Sequence, residues 1–135
     1  MVTCLKNVLI VDGSGWIPFL GDIVIEDDKV SIVSSGENCL YQIADTFDKT
    51  EDYKWNAYCI SGFDAPMTKE KYEAELATLK ADVESGTRIH KAVRKLTGYG
   101  VGQREYLKAG VPADVFVVDK DLTTVLAAYA DGKAL

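Results

Sequence analysis

Histidine is nearly missing from this chain: His90 is the only one in 135 residues. A single histidine excludes the multi-histidine centres that hydrolytic metalloenzymes commonly use. Cysteine is scarce and odd in number. Cys4, Cys39 and Cys59 lie too far apart in sequence for the close pairs of a zinc site, and they read as free, buried, small apolar side chains. No apolar run approaches the ~18 residues of a membrane span. Met1 to Asp12 holds one lysine and lacks a signal-peptide core before a small-residue cleavage site, which predicts a cytoplasmic chain. Basic charge is in deficit, with 15 Lys and Arg against 21 Asp and Glu for a formal net charge of −6. That balance disfavours nucleic acid as a partner, because phosphate binding calls for a net basic face.

What is present is an ordinary globular mixture, 47% apolar and 27% charged, in a chain of single-domain length. The first stretch, VTCLKNVLIV, is rich in β-branched residues and ends at the Asp12-Gly13 turn. GDIVIE (21–26) and KVSIVS (29–34) alternate apolar and polar, and Asp27-Asp28 between them predicts a hairpin. Asn38 to Ala44 reads as a further strand, and Asp45 to Lys54 as a loop or a strand edge. Trp55 to Phe63 is aromatic-rich and predicted extended, up to the break at Pro66. Thr68 is placed to cap a helix over 68–85, with Tyr72, Leu76, Leu79 and Val83 on one stripe. A second helix is predicted over 87–97, with Ile89, Ala92, Val93 and Leu96 inward and cations near its C-terminal end. ADVFVVD (113–119) is nearly all apolar and predicts a strand buried on both faces. A last strand is predicted over 123–130. The order is β-rich, helical, β-rich. It lacks the βαβ alternation of a doubly wound fold.

The two ends resemble a known pattern. LKNVLIVDGSG followed by GDIVIEDDKVSIVSSGE is similar to the opening of amidohydrolase-superfamily enzymes such as D-aminoacylases and imidazolonepropionases. In these a strand, an Asp-Gly turn and a "D-I-x-I-x-D-G-x-I" hairpin precede the catalytic barrel. Toward the other end, Leu107, Gly110, Ala113, Asp114, Val117 and Asp119 match the family's "G-x-L-x-x-G-x-x-A-D-x-V-V-x-D" pattern, with Phe116 at its first valine and Glu105 at its first glycine. VLAAYADGKAL resembles its final strand. The resemblance implies a composite β-sandwich built from N-terminal and C-terminal strands. In the family this domain sits beside a (β/α)₈ barrel of about 250 residues. The span between the two halves is far too short to hold that barrel. CISGFDAPMT resembles the segment that opens the first barrel strand, through Gly62, Phe63 and Asp64. Pro66 and Met67 stand in the neighbourhood of the two metal-binding histidines, so no catalytic or metal-binding role transfers to any residue.

The expected fold is therefore mainly β with two helices, an α+β composite sandwich in a single domain over 1–135. Its N-terminal strands occupy 1–36, a linker with strands 37–67, the helices 68–98 and the C-terminal strands 103–135. The strands of the two chain ends should meet in one sandwich, since neither half can bury an apolar face alone. The expected function is a barrel-less, non-catalytic binding or interaction module without metal or cofactor. The alternatives are a subunit or remnant of a C–N bond hydrolase that takes its active site from another chain, and a small-ligand-binding protein. Expected partners are a second copy in a twofold dimer, through the helices or the aromatic segment 55–63, or a separate barrel-containing chain. Trp55, Tyr58, Phe63 and Tyr99 are the candidate ligand or partner surface. GYGVGQ (98–103) is read as a turn, since a phosphate loop follows a strand and opens a helix. Asp114 and Asp119 point to opposite faces of one strand, too far apart for acid–base work.

Overall fold

A computed structural model describes residues 1–61, 67–97 and 106–135. Among these residues the chain forms eight strands in one mixed sheet: β1 (Val2–Val11), β2 (Phe19–Glu26), β3 (Lys29–Ser35), β4 (Lys49–Asp52), β5 (Ala57–Ser61), β6 (Val115–Asp119), β7 (Val125–Ala130) and β8 (Lys133–Ala134). Two α-helices, α1 (Lys69–Glu84) and α2 (Ile89–Thr97), lie between β5 and β6. The sheet order is β3-β2-β1-β5-β6-β7-β8, with β4 also paired to β1. The fold is mainly β and sandwich-like, of the α+β class. β5 sits between β1, its parallel neighbour, and β6, its antiparallel neighbour, so strands from both chain ends share one sheet.

β1 forks. Its first half, Thr3 to Lys6, pairs in parallel with β4, and its second half, Leu9 to Val11, pairs in parallel with β5. The fork is a bulge, because the register against β2 shifts between Leu5 and Val8 and Asn7 takes a left-handed φ of 56°. Asparagine tolerates that conformation better than most residues. The bulge also turns backbone groups outward, and they are used. Asn7 N donates to Asp22 Oδ1 at 2.8 Å, while Asn7 O accepts from Trp55 N at 2.8 Å.

The apolar periodicities sort side chains onto two cores. Leu5, Val8, Ile10, Ile23, Ile25, Cys59, Val115 and Val117 lie under one face. Val11, Ile60, Phe116 and Val118 lie under the other, covered by Tyr72, Leu76 and Leu79 of α1 and Ala92 and Val93 of α2. β6 is thus buried on both sides, as its unbroken apolar run predicts. Thr68 caps α1, its Oγ1 accepting from Lys71 N at 3.2 Å. The first core closes where the β2–β3 hairpin meets the segment before β6. Val30 N donates to Val111 O, Gly110 N to Val30 O and Ala113 N to Asp28 O. Gly132 completes the closure at φ +77°, where a Cβ would stand 1.7 Å from Asp27 O. Only glycine fits there.

Three expectations shift. Residues 41–46 form a 3₁₀ turn where 38–44 read as a strand. The polar stretch KTED, expected as a loop or a strand edge, is a strand, held by pairing with β1 rather than by an apolar face. β7 begins at Val125, because Asp119 captures the two residues before it: its carboxylate accepts from Thr123 N at 2.7 Å and Thr124 N at 2.9 Å.

Candidate functional site

Of the four residues singled out from sequence, two lie among the described residues. Trp55 ends the turn before β5 with φ 62°, and its indole Nε1 is buried with no hydrogen-bond partner among the described residues. Tyr58, on β5, is half-buried on the helical face of the sheet. Phe63 and Tyr99 fall outside the described residues. The structure does not bring Trp55 and Tyr58 together at one site.

Tyr58 does line a cavity of about 430 Å³. Ile17 and Pro18 come from the β1–β2 loop and Val83 from the end of α1. Thr87, Arg88, Ile89 and His90 come from the α1–α2 junction and the start of α2, and Lys120 and Leu122 from the turn after β6. The volume is within the range of small-molecule sites. Its walls are aliphatic and aromatic. Its polar groups are the Tyr58 and Thr87 hydroxyls and three basic side chains, with no carboxylate among the described lining residues. That composition is unusual for a chain of net charge −6. Arg88, His90 and Lys120 enter none of the ion pairs among the described residues. Asp119, beside Lys120 in sequence, is already occupied, since its two oxygens accept from Thr123 and Thr124. Leu122 also borders a groove of about 550 Å³ along α1, lined by Glu73, Lys69 and Lys80 among others.

A second polar locus lies beneath the 3₁₀ turn. Cys4, Asp22, Leu40, Tyr41, Phe47 and Thr50 help line a cavity of about 50 Å³, room for little more than a water. Asp22 is only 1% exposed. Its Oδ1 accepts from Asn7 N, and its Oδ2 accepts from the Cys39 thiol at 3.5 Å. Burial, and secondarily the Asp22 charge, push the Cys4 thiol up to about 12, which makes it a poor nucleophile. No group of three or more His, Cys, Asp or Glu among the described residues is arranged to hold a metal ion.

The role of Asp22 is structural and can be measured. Asp22→Ala leaves the Asn7 amide buried without an acceptor, which should lower stability by about 2–3 kcal/mol. Asp22→Asn keeps an oxygen for that amide and should cost about 1 kcal/mol. Urea unfolding of the two variants checks this, and equal losses would show that the Asn7 contact contributes nothing.

No protein-family model and no curated protein sequence matches the chain. The cavity beside Tyr58 escapes sequence reasoning because its lining comes from five separate stretches of chain. Only Tyr58 carries a signal at the sequence level, as an aromatic at a strand position.

Proposed function

We propose that this chain is a barrel-less composite β-domain of the amidohydrolase type, acting in the cytoplasm as a non-catalytic module that binds a small ligand. The observation that carries the reading is the cavity beside Tyr58, roomy enough for a metabolite and lined by apolar walls with two hydroxyls and three basic side chains. The sheet supports the family part of the proposal, since β1 and β6 flank β5 as a domain assembled from two chain ends requires. A metabolite panel followed by thermal unfolding tests it. A true ligand at ~100 times its Kd stabilises the fold by about 2.7 kcal/mol. The reading fails if no compound raises the melting temperature, or if the purified chain alone hydrolyses N-acyl amino acids.

The module assembles as a twofold homodimer. Among the described residues, no exposed large apolar side chain lies on α1 or α2, whose apolar stripes face the sheet. The β1–β2 loop instead presents Trp16 at 66% and Ile17 at 58% exposure, next to Leu20. The proposed dimer contact is this loop, in place of the helices or the aromatic segment 55–63. Light scattering should give twice the 14.8 kDa chain mass, and Trp16→Ser should return it to the chain value. A mass of one chain at all concentrations ends this part of the proposal. So does dimerisation that Trp16→Ser leaves intact.

A further inference from the structure

We infer that the cavity beside Tyr58 takes a small organic anion, a carboxylate or phosphate head on an aromatic or branched aliphatic body. This rests on the binding-module reading and names the ligand class of that same site. Three features of the cavity specify the class. Its ionisable lining groups are all basic: Arg88 from the α1–α2 junction and Lys120 from the turn after β6, with His90 on α2. The two aspartates flanking Lys120 in sequence, Asp119 and Asp121, are not among the residues lining the cavity, and neither forms an ion pair with Lys120 among the described residues.

Cations brought together from separate elements repel one another, and an anion between them relieves that repulsion. Arginine adds a planar fork suited to the two oxygens of a carboxylate or phosphate. Ile17, Val83 and Leu122 supply aliphatic wall and Tyr58 an aromatic one, surface that a bare inorganic ion would leave unfilled. The about 430 Å³ also exceeds what a lone phosphate or acetate occupies. The cavity therefore suits a ligand with a charged end for Arg88 and Lys120 and an apolar body for the aliphatic and aromatic walls.

The test is a titration of the full chain, followed by amide NMR, with phenyl phosphate, benzoate and neutral benzyl alcohol. At least one anion should shift the Tyr58, Ile89 and Leu122 amides at concentrations where benzyl alcohol does not, and added salt should weaken it. Arg88→Gln and Lys120→Gln should each weaken binding about tenfold. Lys91→Gln removes the same charge from α2 outside the cavity and should change binding by less than about twofold. Both side chains to be replaced are exposed, so the variants should fold. If benzyl alcohol binds as tightly as the anions, the anion class is overturned and the binding-module reading stands. If no probe moves those amides, both fall. If Arg88→Gln and Lys91→Gln behave alike, the placement of the site is overturned.

Discussion

Replacing Tyr72 with alanine should all but unfold this protein. Tyr72 is fully buried on α1 and stacks on Phe116 of β6, with ring centroids 4.6 Å apart and planes inclined by 29°. Its hydroxyl donates to Tyr129 O on β7 at 2.5 Å. One side chain thus joins α1 to two strands of the sheet. Truncating a buried aromatic to alanine costs about 3–5 kcal/mol, and the abandoned Tyr129 carbonyl adds about 1–3 kcal/mol. Natural domains of this size hold only about 5–15 kcal/mol in total. Tyr72→Phe separates the two contributions, since it keeps the stack and removes the hydroxyl, and it should cost about 1–2 kcal/mol. Urea denaturation reads both as shifts of the midpoint at constant slope. A loss below about 1 kcal/mol for Tyr72→Ala would mean that α1 contributes little to the sheet's stability.

Alkaline unfolding is the second large effect. Burial raises the Cys59 thiol from 9.0 to about 12. Cys4 is raised to the same value by burial first and the Asp22 charge second. Burial, followed by its hydrogen bond to Glu51, holds the Tyr53 phenol above its ordinary range, and burial does the same for Tyr129. Between pH 9 and 12 the unfolded thiols have lost their protons and the folded ones retain them. The unfolded state binds fewer protons in that window, so stability falls as pH rises. Each thiol costs about 1.4 kcal/mol per pH unit there, and the pair about 2.7. Below pH 8 the two groups are protonated in both states and impose no slope. Circular dichroism from pH 7 to 12 should show a cooperative loss of strand signal beginning above about pH 9. Cys59→Ala should roughly halve the thiol part of the slope while leaving the neutral-pH fold in place. Unfolding free energy that stays flat from pH 8 to 11 would contradict the burial of both thiols.

Where an element's own pattern carries its reason, it was legible from residues alone. The β2–β3 hairpin follows from period-two alternation around Asp27-Asp28, and Asp27 takes the left-handed φ of 55° that such a turn uses. Thr68 and the Tyr72–Leu76–Leu79 spacing define α1 almost to the residue. Elements held by a neighbour were not legible. KTED has no apolar face, and its strand state comes from the hydrogen bonds offered by the first half of β1. Residues 41–46 carry Tyr41 and Ile43 at strand-like spacing, yet no strand offers them a partner and they coil into a 3₁₀ turn with both side chains exposed.

The candidate site divides in the same way. Sequence by itself determined that this is a β-rich chain with two central helices, that its two ends carry strands needing each other's cover, and that β6 is buried on both faces. Those properties are set by the periodicity of apolar side chains, a local and additive quantity. Tertiary structure alone decided that β1 forks at Asn7, that Asp22 serves the bulge beside it, and that Arg88 and Lys120 come to line one cavity with Tyr58. Residues distant along the chain share no periodicity, so their meeting is settled only when the sheet assembles and the helices dock on it.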